Sequence, residues 1–262
     1  MYSQTIKKIV ELGDTLPKIS GAVIDIGKTK QHLTEKDIEI ETELTNLVNT
    51  FSGEHSVYAE ELHDNFIEKE NVWIIDPISN TANFIHGMPH YSIVLSHMYK
   101  GSLLFAVVYD PSNKELFTAE AGKGAFLNGK RIHVSKNKTD LFCLINRSKK
   151  YMTEESIKII GEISKNINAT RDIGSLGIHY AYVACGRADV AISFNPDTFP
   201  EFAGKLLVEE AGGKFTDLLG GDLNAETVGI VASNGLIHDE VIGLIEGSTE
   251  KPHFRERVSV IS

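Results

Sequence analysis

Apolar positions change their period along this chain, and the change marks the elements. In the opening stretch Ile6, Ile9, Val10 and Leu16 recur at helical spacing with charges between them, which predicts a first helix. Gly13 falls on the same stripe, so either the helix ends near it or a neighbour packs close there. A second helix is predicted from Thr34, whose hydroxyl can cap the amides that follow. Glu35 and Asp37 suit its positive end, and Ile40, Leu44, Leu47, Val48 and Phe51 form its apolar face. After the turn-rich FSGEH the period shortens. VWII at 72–75, YSIVLSHMY at 91–99, LLFAVVYD at 103–110 and ELFTAE at 115–120 read as strands. The Lys100-Gly101-Ser102 turn and the DPSNK reversal join them into an antiparallel meander.

From about residue 139 strands and helices alternate. FCLIN at 142–146 reads as a strand, and 153–167 as a helix with Ile157, Ile160, Ile163 and Ile167 inward. Ser175 can cap a helix that stops at Gly186, DVAIS is a strand, and 201–211 is a helix ended by Gly212-Gly213. VGIVAS at 228–233 is a buried strand before a last helix from about 236. The chain therefore divides into an α+β half, 1–138, with an antiparallel sheet, and a smaller α/β half, 139–262. No proline-rich or serine-rich linker separates them, so the halves should pack tightly.

Composition narrows the function classes. Hydrophobic residues at 42% and charged residues at 24% of 262 argue for a globular chain rather than a disordered one. A formal net charge of −10 disfavours a broad contact with nucleic acid or anionic lipid. Two cysteines, Cys143 and Cys185, are too few for a disulfide framework and sit in apolar stretches as small hydrophobes. MYSQTIKKIVELGDTL has neither an uninterrupted apolar run nor a small-residue cleavage signature. The expectation is a cytoplasmic protein with no membrane contact.

Three places hold candidate chemistry. In WIIDPISNTANF a buried strand runs into Asp76 and Pro77 and then a polar turn with Thr81. A carboxylate at a strand end suits a hard cation, and amides at a helix start suit an anion such as phosphate; equally, Asp76-Pro77 can simply punctuate the strand with an Asx turn. In YAEEL the adjacent Glu60 and Glu61 repel, which favours a metal if both enter one low-dielectric site and means nothing on a solvated loop. In FNPDTFPEFAGKLLVEEAGG, Asp197, Glu201, Glu209 and Glu210 are possible ligands, although the last two lie on an amphipathic helix and read as solvated. No histidine pair has metal-binding spacing, and His86 and His90 read as loop residues.

At these residues the chain resembles the inositol monophosphatase family, the magnesium-dependent, lithium-sensitive phosphatases that include the bacterial extragenic-suppressor branch. The family's W-x-x-D-P-[IL]-D-G-T-x-N-F corresponds to WIIDPISNTANF, and its W-D-x-A-x-x-x-x-x-x-x-E-A-G-G to FPEFAGKLLVEEAGG. The stretch GSLLFAVVYDPSNKELFTAEAGKGAFLNGKRIHVS also follows the family, and the likeness covers nearly the whole chain. It implies a layered αβαβα sandwich of the α+β class. The implied reaction is hydrolysis of a small phosphorylated polyol or sugar on magnesium ions, one activating water and another stabilising the leaving oxygen. It also implies a homodimer.

Carried over residue by residue, the resemblance puts metal ligation on Glu60, Asp76 and the Ile78 carbonyl. The water-orienting Thr falls on Thr81, backed by Asp37, and Glu60 joins these two in the catalytic set. Substrate contacts fall on Ser79, Asn80, Thr81, Gly174, Ser175 and Ser193. Several positions depart from the pattern: the signature's second Asp is Ser79, its phosphate-loop Gly is Asn80, the second motif's Trp-Asp is Phe199-Pro200, and the Glu that meets the substrate ring is Ser193. The formal charge of the ligand set falls from about −4 to about −2, which weakens or abolishes the hold on Mg²⁺, an ion usually bound through charged oxygens. Asp197 is a candidate replacement ligand. Glu201 is a poorer one, since helix geometry turns it about 100° from the lost position. The expectation is activity reduced or lost, with a binding or regulatory role and a protein partner open, against an active phosphatase with a rearranged site.

Overall fold

The structure, a computed structural model, describes residues 1–28, 32–62, 70–148, 151–195, 198–223, 227 and 229–248. Helix α1 (Tyr2–Gly13) ends at the glycine on its stripe, and Leu16 follows in a separate 3₁₀ turn, Leu16–Lys18. Both readings of Gly13 hold, because a Cβ there would lie 2.6 Å from the Tyr109 ring. Helix α2 (Glu35–Asn49) starts in a capping box: Thr34 accepts from the following backbone, and the Asp37 carboxylate accepts the Thr34 amide at 2.8 Å.

A seven-stranded sheet follows, built from β1 (Ser56–Ala59), β2 (Asn71–Ser79), β3 (Ser92–Tyr99), β4 (Ser102–Asp110), β5 (Glu115–Glu120), β6 (Gly124–Leu127) and β7 (Lys130–Arg131) in that order. All neighbours are antiparallel except β1, which lies parallel to β2. The β3–β4 hairpin turns on Lys100 and Gly101, both at positive φ (51° and 75°), as a two-residue turn requires. The short helix α3 (Thr81–Ile85) sits between β2 and β3. The second half supplies β8 (Phe142–Asn146), α4 (Glu154–Asn166), β9 (Ala169–Arg171), α5 (Leu176–Ala184), β10 (Val190–Ser193), α6 (Thr198–Glu210), β11 (Lys214–Asp217), β12 (Ile230–Ser233) and α7 (His238–Ser248). Its sheet runs β11-β12-β10-β8-β9, with β10, β8 and β9 mutually parallel and β12 antiparallel to both its neighbours.

Three apolar cores fix the layers. Ile9, Leu44, Trp73 and Phe105 join α1 and α2 to the outer face of the large sheet. Val94, Val108, Phe117, Tyr180, Leu207 and Phe215 fill the space between the sheets, around α5 and α6. Ile145, Ile159, Ile163, Val231 and Val241 join α4 and α7 to the far face of the small sheet. This is the αβαβα sandwich of the α+β class that the resemblance implies. Strands β2 to β4 are covered on both faces, which is why they read as nearly continuous apolar runs.

Three local readings need correction. Ile157 points outward, 58% exposed, because the buried stripe of α4 runs through Ser156, Ile159 and Ile163. Glu210 is not merely solvated: its carboxylate accepts the Gly122 and Gly124 amides at 2.6 and 2.7 Å, tying α6 to the β5–β6 turn. His90 is half-buried at φ 73° and not an open loop residue. Among the described residues no helix is long and apolar enough to cross a membrane.

Candidate functional site

Pro77 carries no N–H, so β2 cannot continue its ladder with β3 through that residue. The register slips between Asp76, opposite Val94, and Ser79, opposite Ser92, where one extra residue is accommodated. That bulge brings Asp76, the Ile78 carbonyl and Ser79 together at the strand end. Asn80 then turns the chain at φ 69°, ψ 63°, a left-handed conformation that asparagine tolerates better than most side chains. Its Oδ1 accepts the Asn83 amide at 3.2 Å and caps α3.

Thr81 opens α3 with its hydroxyl 3.0 Å from Asp37 Oδ1 and 3.0 Å from the Ile78 carbonyl, either of which can accept its single proton. Asp37 is fully buried. Burial pushes its carboxyl up to about 6 against the hydrogen bonds from Thr34 and Thr81, with nearby Glu60 adding to the rise. Glu60 follows β1, a strand the apolar pattern does not announce. The loop beyond it is held by buried Glu41 of α2, whose two carboxylate oxygens each accept at 2.8 Å, from the Glu61 and Leu62 amides.

These groups open on one cleft of about 380 Å³, at the small end of ligand pockets. Glu60, Asp76, Ile78, Ser79, Asn80, Thr81 and Gly174 all line it. Ser175 stands just behind, capping α5 and linking Ser79 (3.3 Å) to Ser92 (3.0 Å) in a chain of hydroxyls. Ser193 is fully buried at the end of β10, where its hydroxyl accepts the Asn195 amide, and does not line the cleft. Phe199 stacks on Tyr58 with ring centroids 4.5 Å apart. Pro200 is buried in the first turn of α6, where a missing N–H is tolerated. Glu201 is buried in the same turn and is not on the cleft wall. Asp197 lies outside the described residues.

The opposite wall comes from residues that motif reading missed: Asn146 at the end of β8 and Arg147 after it, Asp172 before α5, Asn195 after β10, and His32. Asp172 organises that wall, accepting the Arg147 and Gly174 amides at 3.1 and 3.0 Å and facing Arg147 Nε at 3.6 Å. Asn83 Nδ2 ties the loops together through the Pro89, His90 and Ile173 carbonyls. Asn146 ends one parallel strand and Asn195 follows another, at the carboxyl ends where open sheets place ligands, and this was the signal available in the sequence. Among the described residues no three His, Cys, Asp or Glu side chains gather into a metal-holding group.

The model of the inositol monophosphatase family matches residues 8–250. Among curated proteins, a fructose-1,6-bisphosphatase/inositol-1-monophosphatase of Thermotoga maritima is 34% identical over 250 residues, covering 94% of this chain and 96% of its own. A Nus factor SuhB of Pseudomonas aeruginosa is 34% identical over 220 residues, covering 78% of this chain and 79% of its own. Among solved structures, a Thermotoga maritima IMPase superposes with a TM-score of 0.85 at 32% identity, covering 94% of this chain and 97% of that one.

Proposed function

Because the chain belongs to the inositol monophosphatase family, we propose that it binds small phosphorylated polyols or sugars in this cleft while its magnesium-dependent hydrolysis is reduced or lost, leaving a binding or regulatory role. The observation that carries this reading is the donor set. Glu60, Asp76 and the Ile78 carbonyl are the oxygens that would hold one ion. The second acid of the strand-end motif is Ser79, engaged with Ser175, and the acid of the α6 motif is Pro200. Asp172, the third acid on the wall, is engaged by Arg147 and Gly174. Such a set does not fit a paired magnesium centre, because Mg²⁺ sheds water reluctantly and is held through charged oxygens. No step is therefore derived through the metal. What the chain's own residues can do is orient: Asp37 holds the hydroxyl of Thr81, a residue of the cleft wall.

That Asp37–Thr81 pair favours a second reading, a slow phosphatase in which a single ion or a rearranged ligand suffices. Phosphate release over a panel of sugar and polyol monophosphates, run beside magnesium calorimetry, separates the two. On the first reading the parent is nearly silent, and Ser79→Asp/Asn80→Gly/Pro200→Asp gains magnesium affinity and roughly 10³ in rate. Brisk parental turnover that Asp76→Ala abolishes would sink it.

A further inference from the structure

We propose that the cleft binds a phosphate ester without a divalent cation, using the Asn80 carboxamide and the Arg147 guanidinium in place of metal charge. The inference rests on the reading above that the cleft is a phosphate-ester site, and it names how the ester is held.

Asn80 is where the geometry is most specific. Its left-handed backbone and its Oδ1 cap on the Asn83 amide fix the direction of the carboxamide. The Nδ2 end lies against Gly174, so close that a Cβ on that glycine would come within 1.8 Å of it. Gly174 is itself at φ 91°, so a side chain is excluded there by backbone as well as by space. Both residues line the cleft, and Nδ2 donates to no described protein atom. A donor held in one place, on a cleft wall, with no protein acceptor, is available to an oxyanion.

Arg147 supplies the positive charge from the opposite wall. Its Nε edge faces Asp172 Oδ2 at 3.6 Å and its own amide donates to the same oxygen, which orients the residue at both ends. The Asp172 charge is shared with the Gly174 amide, so it does not belong to the guanidinium alone. The Nη groups donate to no described residue, and the side chain is 55% exposed. A guanidinium fork and an amide N–H₂ are suited to phosphoryl oxygens, and hydrogen bonds to charged groups are the stronger ones. Ser79 adds a hydroxyl on the same wall as Asn80, whereas the Thr81 proton is committed to Asp37 or the Ile78 carbonyl. Glu60 and Asp76 oppose an anion, so the ester settles toward Asn80, Gly174 and Arg147.

Calorimetric titration of the full chain with inorganic phosphate and with β-glycerophosphate, in excess EDTA and again with magnesium, tests this. Binding in EDTA that magnesium changes by no more than about twofold is the expected result. Asn80→Asp keeps the Oδ1 cap and the backbone tolerance but turns the donor into an acceptor. It should weaken EDTA binding about tenfold or more, as should Arg147→Ala, with thermal unfolding of both variants near the parent's. Binding seen only with magnesium overturns the proposal, as does EDTA binding that neither substitution moves. EDTA binding that is absent removes this inference whether or not turnover is slow. Fast magnesium-dependent turnover removes the functional reading even where EDTA binding is seen.

Discussion

Asp37 serves two elements at once. Its Oδ2 closes the capping box of α2 on Thr34, and its Oδ1 faces the Thr81 hydroxyl that opens α3, so one buried carboxylate sets the start of two helices. Burial raises its folded value from 3.8 to about 6, with Glu60 nearby adding to the rise. Between those values the native state binds more protons than the unfolded chain. The group's contribution to stability is complete below pH 3.8 and is lost as pH rises through 6, above which a buried charge must be carried. Asp37→Asn removes that charge along with one acceptor. Its melting temperature should therefore trail the parent's most at pH 4 and least at pH 7.5, a narrowing readable by calorimetry across pH. A gap that widens with rising pH would mean that the folded carboxylate is favoured as the ion. Asn80 makes a related point about single positions. It stands where the family pattern has glycine, and it takes a left-handed turn that glycine adopts readily while adding a side chain to the cleft.

Helix α1 shows how one element is seated by close approach rather than by its stripe alone. Tyr2 stacks on Phe105 with centroids 4.2 Å apart and its hydroxyl meets His97 at 2.8 Å, while at the other end Gly13 lies under Tyr109, whose hydroxyl donates to Asp14. Alanine is a better helix former than glycine by about 1 kcal/mol. Its Cβ would nevertheless fall 2.6 and 2.7 Å from two carbons of a ring held at its far end. Gly13→Ala should destabilise by about 1–3 kcal/mol in urea unfolding, and a raised midpoint would show that the ring yields. Elements of this kind were partly legible beforehand. The Thr34 and Ser175 caps, the β3–β4 turn and the inward face of α2 follow from local rules, since a hydroxyl, a glycine and a period of 3.6 act within a few residues. What local rules could not give depended on a partner distant in sequence. The β1 strand exists by pairing with β2, and Glu210 is committed to a turn more than eighty residues earlier. On α4 the expected stripe holds at Ile160, Ile163 and Ile167 and fails only at Ile157, whose place on the buried face is taken by Ser156 and Ile159. Within the cleft, the Asp76 to Thr81 run was readable because it is contiguous. Arg147 and Asp172 were not, because only the fold brings the ends of β8 and β9 across from β2.

At the scale of the molecule, α5 and α6 decide whether the chain behaves as one unit or two. Gly177 sits against Val94 of the large sheet, and a Cβ there would come within 2.7 Å of it. Gly204 of α6 admits the Tyr180 ring of α5, with 2.3 Å left for a Cβ. The middle core takes Val94, Ala106, Val108 and Phe117 from the first half and Leu144, Tyr180, Leu207 and Phe215 from the second. Neither sheet can lose α5 and α6 without baring an apolar face, and these helices cannot leave one sheet while staying on the other. The two sheets share the apolar layer between them, and they should unfold together. Trp73, the chain's single tryptophan, is fully buried in β2 on the large-sheet side, so its fluorescence reports the first half alone, whereas far-UV circular dichroism reports the helices and both sheets together. The two signals should give one coincident urea transition with the same midpoint and slope. A tryptophan transition separated from the dichroism transition would assign the middle layer to one half only, and the shared core would then contribute little to the coupling.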